Sequence, residues 1–262
     1  MSAGFDWSCS IVCVSCHLRF IQLAPPHQAL LPTMLATFCL ALLARMIRGV
    51  TTGGAAAGFL VTSVLSLAGG PAMFASVVLV FALTYIATKF RRSRKKALAI
   101  AERSAGRDAA QVFANLGAAA LIAALALLRH SYPYLMVGSV AALAETTCDT
   151  VSSEAGKALE QNPRLIVSWQ PVSAGTDGAI SVPGTLLGIL AAALLGVQTV
   201  VTHIVTSKLA LIAVCAGVIG MLLDSVLGAT LERRGWLTNN AVNFASTTCS
   251  AVLAAMATSL LL

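Results

Sequence analysis

Charge is scarce in this sequence. Asp, Glu, Lys and Arg make up 10% of its 262 residues, against roughly 25% in an ordinary globular chain, and that deficit excludes a soluble globular domain. Aromatic residues contribute 6%, and there are four histidines. The histidines are scattered, so no Ser/His/Asp or Cys/His arrangement for nucleophilic catalysis stands out. The run G-V-T-T-G-G-A-A-A-G at Gly49–Gly58 lacks the G-K-[ST] ending that supplies a phosphate loop with its cation and its magnesium hydroxyl. It reads as close helix packing. The first residues also lack the basic start, apolar core and small-residue cleavage site of a secretory signal.

What replaces charge is apolar surface: 58% of the residues are hydrophobic and the mean hydropathy is +0.86. Runs of about 20 apolar residues recur, each long enough to cross a hydrocarbon core of about 30 Å as a helix. They are rich in Ala and Gly, which lets helices approach closely in lipid. The expected fold is all-α: one polytopic integral membrane domain over 29–262 with about seven to eight transmembrane helices. The spans are expected near 29–47, 54–68 and 72–88, then a fourth ending near 128, then 134–148, 179–201, 208–227 and 241–262, with a turn at Gly69-Gly70-Pro71. Residues 1–28 contain Cys9, Cys13, Cys16 and His17. C-V-S-C-H has the spacing of covalent haem attachment, and a Cys/His metal site is a second reading. Standing alone, the spacing reads more simply as a poorly ordered leader outside the fold. Cys39, Cys148, Cys215 and Cys249 fall in or beside spans and read as packing residues.

The net charge of +7 is unevenly placed, with eight of the 17 basic residues between Lys89 and Arg107. In a membrane protein such a cluster marks a cytoplasmic loop facing anionic headgroups, and it argues against nucleic acid as a partner. Counting spans from that loop puts Arg45 and Arg48, the segment 149–178 and the connection 228–240 on the same cytoplasmic face. Three polar loops, 89–108, 149–178 and 228–240, therefore share one side.

The acidic residues are concentrated too. Five of the ten, Glu145, Asp149, Glu154, Glu160 and Asp177, lie between Glu145 and Gly184. Glu145 and Asp149 share a helix face, where like charges repel unless a cation or basic group intervenes. Ser152, Ser153 and Gly156 lie on Asp149's side. Glu154 points elsewhere unless the helix breaks near Gly156 and Pro163. With such a break, Asp149 and Glu154 converge on one magnesium ion, which takes one or two carboxylates plus phosphates and water. Lys157 and Arg164 suit phosphate. The run Ser173–Ser181, with Gly175 and Thr176, offers backbone N–H groups at a helix start for an anion, while Asp177 is either a metal ligand or a helix cap. Asp224, inside an apolar span, is a functional candidate because a buried carboxylate is costly there. Asn239 or Asn240 reads as an N-cap, while Asn239 and Asn243 also share a face and suit a metal or phosphate. Asp108, Gln111 and Asn115 share a face as the fourth span enters the membrane. They form either a polar helix start or a functional surface.

Several longer stretches resemble one family. D-T-V-S-S-E-A-G-K-A (Asp149–Ala158), P-R-L-I (Pro163–Ile166) and G-T-D-G-A-I-S-V-P-G-T-L-L-G (Gly175–Gly188) are similar to the integral-membrane family called domain of unknown function 92. So are G-R-D-A-A-Q-V-F-A-N (Gly106–Asn115), L-D-S-V-L-G-A-T (Leu223–Thr230) and L-T-N-N-A-V-N (Leu237–Asn243). That family includes the transmembrane protein 19 group and the plant phytyl-phosphate kinases, and the D-T-V-S-S-E wording looks close to the plant branch. The resemblance covers about 40–262. It implies a kinase for an isoprenoid monophosphate such as phytyl phosphate, using magnesium and a nucleoside triphosphate, CTP or ATP. On that expectation Asp149, Glu154 and Asp224 hold metal, and Lys157, Arg164 and Asp177 serve the transfer. Ser153, Gly175, Thr176, Gln111, Asn115, Asn239 and Asn243 then contact the nucleotide. The implied partners are the isoprenoid lipid phosphate, the nucleotide and the bilayer, with assembly into a homo-oligomer left open. The rival expectation is a transporter or flippase using an intramembrane carboxylate.

Overall fold

A helix that spans lipid must satisfy its own backbone, and most of the described residues do so helically. The computed structural model describes residues 30–101, 104–128, 133–160 and 162–261; the expected leader at 1–28 and the Arg129-His130 connection lie outside them. The helices are α1 (Leu30–Met46), α2 (Thr52–Lys89), α3 (Arg92–Ala97), α4 (Ala109–Leu128), α5 (Pro133–Leu159), α6 (Val182–Val201), α7 (Ser207–Leu227) and α8 (Asn239–Ser259). A π-helical turn, Gly228–Glu232, extends α7. One two-residue antiparallel pair, β1 (Arg164–Leu165) with β2 (Ala179–Ile180), pins the loop between α5 and α6.

Five helices among the described residues are long and apolar enough to cross a membrane: Thr52–Lys89, Ala109–Leu128, Val182–Val201, Ser207–Glu232 and Asn239–Ser259. The expected count of seven to eight is not reached, for three physical reasons. α1 has 17 residues and falls just short. The polar side chains of α5 lower its hydropathy. The two spans expected at 54–68 and 72–88 form one 38-residue element, interrupted only at Gly70.

That element nevertheless reverses direction. The Tyr85 hydroxyl donates to the Ile47 carbonyl at 3.2 Å, whereas a straight helix would separate Thr52 from Tyr85 by about 50 Å. Gly70 adopts φ 64°, ψ −157°, a region open essentially to glycine alone, and Pro71 follows without needing an N–H. A Cβ at Gly70 would meet nothing within 4 Å, so the cost of Gly70→Ala is backbone strain only. We expect a loss of about 1–3 kcal/mol in thermal unfolding of the detergent-solubilised protein; an unchanged melt would show that the turn adapts.

α5 is the central helix, and every residue from Met136 to Cys148 is buried. The α2 hairpin, α4, α6, α7 and α8 all pack around it. Small residues permit the closeness: a Cβ on Gly188 of α6 would lie 2.6 Å from the Cys148 carbonyl oxygen, and one on Gly138 would lie 2.8 Å from that of Ala251 in α8. The outer surface is apolar instead. Leu186, Leu190, Val197 and Val201 are exposed along one face of α6, as a lipid-facing stripe requires.

Polar connections gather at one end of this bundle. Thr51 N–H donates to the Arg107 carbonyl (2.9 Å), and Arg107 N–H returns to Gly49 (3.0 Å), joining the start of α2 to the start of α4. Gln198 marks the opposite end, near the hairpin turn, where it accepts from Ser76 (2.8 Å) and donates to the Ala72 carbonyl (3.3 Å).

Candidate active site

The polar side chains in the last turns of α5 face a common space. A polar cavity of about 190 Å³ opens where α4, α5, α7, α8 and the 163–181 loop meet. Asp149 and Asp224 line it, with Gln111, Asn115, Asn239 and Asn243. Ser153, Glu154, Lys157, Gly175, Thr176 and Asp177 line it as well. Residues more than 130 positions apart in sequence thus share one wall.

Local structure explains how each is held. Asp108 caps α4: its Oδ1 accepts from Gln111 N–H (2.9 Å), while Gln111 Oε1 accepts from Asp108 N–H (2.9 Å). This reciprocal box assigns Asp108 to the helix start and aims Gln111 and then Asn115 along the cavity. Thr238, not Asn239 or Asn240, caps α8, accepting from Ala241 N–H at 3.3 Å. Both asparagines therefore keep their amides for the cavity. Ser181 caps α6, accepting from Gly184 N–H at 3.2 Å, which removes the capping role considered for Asp177. The loop carrying Asp177 rests on the π-helical turn, where Gly178 and Gly228 meet so closely that a Cβ on Gly178 would collide with Ala229.

Two expectations need correction. α5 runs unbroken to Leu159, so Glu154 never swings round to join Asp149. Its carboxylate lies between two lysines instead: Oε2 accepts from Lys95, and Oε1 from Lys157 at 3.1 Å. Lys95 is fully buried and also donates to the Ala87 and Thr88 carbonyls at 3.0 and 2.8 Å. Glu154 therefore orients Lys157 and ties the basic loop to α5. Arg164 is the second correction. It is exposed and donates to the Trp169 carbonyl at 2.8 Å, outside the cavity. The guanidinium on the cavity wall belongs to Arg107, which reaches Thr150 Oγ1 at 3.5 Å.

Arg107 and Glu232 are cavity residues that sequence reasoning passed over. G-R-D preceding the α4 start was the available signal for Arg107, obscured by its place in a basic run. Glu145 behaves differently from its neighbours. It is 1% exposed, its Oε1 has no hydrogen-bond partner, and it is enclosed where α5 meets Gly217 and Gly220 of α7.

The donor set suits a hydrated cation carried by phosphate better than a bare metal. Among the described residues no group of three or more His, Cys, Asp or Glu side chains is placed to hold a metal ion. Asp149 and Asp224 are near enough to feel each other's charge, and Asp224 Oδ2 accepts from Ser246 at 3.1 Å. Asn243 Nδ2 donates to Asn115 Oδ1 (2.9 Å), or, with its amide turned over, donates instead to Asp224 Oδ2 (3.2 Å) and the Asn239 carbonyl (3.0 Å). Two carboxylates with phosphate oxygens and water make up the usual magnesium shell, so Asp149 and Asp224 fit such an ion when a phosphate accompanies it.

Comparison with known proteins places the chain among membrane proteins. The family described as "Integral membrane protein DUF92" matches residues 35–251. An uncharacterized membrane protein of Synechocystis sp. is 36% identical over 174 residues, covering 64% of this chain and 66% of that protein. An uncharacterized membrane protein of Methanocaldococcus jannaschii is 34% identical over 173 residues, 66% of this chain and 71% of the relative. Protein VTE6, chloroplastic, of Arabidopsis thaliana is 30% identical over 217 residues, 80% of this chain and 65% of its own length. The chain thus spans about two thirds of the length of the Synechocystis and Arabidopsis relatives. No solved structure matches.

Proposed function

The chain belongs to the DUF92 family of integral membrane proteins, and from that premise we propose that it is a membrane-embedded kinase of isoprenoid monophosphates. The observation that carries this reading is the polar cavity in which Asp149, Asp224, Lys157, Arg107 and five side-chain amides converge at the loop end of the bundle. The resemblance to the plant branch supplies the substrate class, phytyl phosphate or a related monophosphate, and the plant relative aligned over 80% of the chain supports it. By the charge distribution of the loops, the cavity faces the cytoplasm, where nucleotides are available.

Phosphoryl transfer requires positioning and charge neutralisation more than covalent chemistry. A phosphate oxygen of the isoprenoid monophosphate attacks the γ-phosphorus of CTP or ATP. The bond from that phosphorus to the β–γ bridging oxygen breaks, and the nucleoside diphosphate leaves with the electron pair. Charge balances without a proton, because a dianion and a tetra-anion become two trianions; no general base is needed. Asp149 and Asp224 would hold a magnesium ion accompanying the nucleotide, which would supply neutralisation of phosphate charge. Lys157, oriented by Glu154, neutralises the transferring group, as Arg107 does from α4. Thr176 and the 173–178 backbone bracket the nucleotide from one side, with Gln111, Asn115, Asn239 and Asn243 on the other.

The direct test incubates the purified protein with magnesium, CTP or ATP, and phytyl or geranylgeranyl monophosphate. Isoprenoid diphosphate is the expected product; none with either nucleotide across several chain lengths would remove the kinase reading. Glu145 is the observation favouring the alternative of a transporter or flippase, since a buried intramembrane carboxylate with an unpartnered oxygen is a coupling candidate. That reading requires substrate flux in proteoliposomes that Glu145→Gln stops.

A further inference from the structure

The basic loop does more than mark a membrane face. Beside the polar cavity lies a second one of about 100 Å³, between α1, the two arms of the α2 hairpin and α4. Its walls are apolar, formed by Leu40, Ala44, Val77, Val80, Phe81 and Leu116. Threonines, Tyr85 and Asn115 complete the lining, and every charged residue in it is a cation: Arg48, Lys89, Arg92 and Arg107. Arg107 and Asn115 line both cavities, so the two share a wall.

Four cations at the edge of an apolar cleft repel one another unless an anion lies between them. Lys89 sits in the field of Arg92, Lys96 and Arg48. Among the described residues, Glu154 is bridged by Lys95 and Lys157, and no salt bridge joins a carboxylate to Arg48, Lys89 or Arg92; Arg107 feels the charge of Asp149 from the polar cavity. Lys89 lies over the Tyr85 ring at 5.0 Å, an orientation that keeps its ammonium at the cleft. The chemistry called for is a phosphate joined to one hydrocarbon chain: dianionic where the cations meet, apolar along the cleft.

We infer that this cleft is the acceptor subsite: it holds the hydrocarbon chain of a single-chain lipid monophosphate, with Arg48, Lys89, Arg92 and Arg107 binding its phosphate. This rests on the kinase reading for its occupant and adds the site. The acceptor phosphate then sits beside Arg107, on the wall facing the nucleotide cavity, and the two substrates approach from separate compartments of the fold. Arg107 contacts both phosphates and is the residue across which transfer occurs. Chain length is read along the α2 hairpin, toward Val77.

The test measures binding without nucleotide, so that it stands apart from catalysis. The full-length protein in nanodiscs of neutral phosphatidylcholine is titrated with phytyl monophosphate, with phytol and with phosphatidylglycerol. A monophosphate analogue carrying a diazirine on its chain is crosslinked and its attachment mapped. Arg48→Gln with Arg92→Gln, both outside the nucleotide cavity, is expected to weaken phytyl monophosphate binding about tenfold or more while magnesium–nucleotide binding is unchanged. Label is expected on Phe81 or Leu116. Label on the outward face, at Leu121 or Leu186, overturns the assignment, as does unchanged affinity in the double variant. Equal affinity for phosphatidylglycerol also overturns it, identifying a bulk phospholipid site. If the monophosphate binds and labels as expected but no diphosphate forms, the subsite stands and the kinase reading falls. If diphosphate forms and the double variant has wild-type KM for the monophosphate, the kinase stands and the subsite falls.

Discussion

Asp149→Asn is expected to lower diphosphate formation by about a hundred- to a thousandfold, the scale of losing one preorganised electrostatic contact at a reacting phosphate. The reason is geometric. Asp149 lies on the face of α5 that lines the polar cavity, within the field of Lys157, Arg107 and Glu154, and Asp224 stands near it on α7. Glu154 cannot substitute, because both its oxygens are engaged by lysines. Asparagine keeps the side-chain shape and removes a charge from a half-buried position, so the variant should fold. Comparing turnover with the melting temperature of the same preparation separates the two effects. Asp224→Asn should act in the same direction, while retaining its contact with Ser246. Wild-type turnover in a folded Asp149→Asn protein would take Asp149 out of the site and with it the proposed magnesium–nucleotide arrangement.

The largest stability effect is expected at Lys95. Its ammonium is fully buried and satisfied by two α2 carbonyls and Glu154. Lys95→Met deletes the cation while Glu154 remains buried, and breaking one side of such a pair costs about 3–5 kcal/mol. Replacing both partners, Lys95→Met with Glu154→Gln, should recover much of that loss, since no uncompensated charge is left inside. The difference between single and double variants, read by thermal unfolding in detergent, measures the coupling. A Lys95→Met protein that melts like wild type would show that Lys157 alone compensates Glu154.

These two sites differ in how visible they were from sequence. Asp149 and Asp224 stood out because carboxylates are rare in this chain and costly in apolar helices. Gln111, Asn115, Asn239 and Asn243 stood out through the i, i+4 repeat, which fixes a shared helix face whatever the tertiary arrangement. The turn at Gly70 was legible from Gly-Gly-Pro, since proline and a left-handed glycine end helices locally. Lys95 was not legible. In K-F-R-R-S-R-K-K it looks like its neighbours, and only the approach of α5 distinguishes it as the buried one.

Arg164 and Arg107 show the same limit in opposite directions. Arg164 is close in sequence to Lys157, yet the β1–β2 pair holds its guanidinium against the Trp169 carbonyl. Arg107 is 42 residues before Asp149 in sequence, yet the pairing of Gly49 and Thr51 with its backbone brings it to the cavity wall. Composition and helical period are local quantities, and by themselves they determined an α-helical membrane protein with its polar chemistry gathered in three loops and two helix faces. Which charge meets which depends on how helices far apart in sequence cross. That crossing was decided by contacts such as Gly188 against Cys148 and Gly217 against α5, and only the tertiary structure contains them.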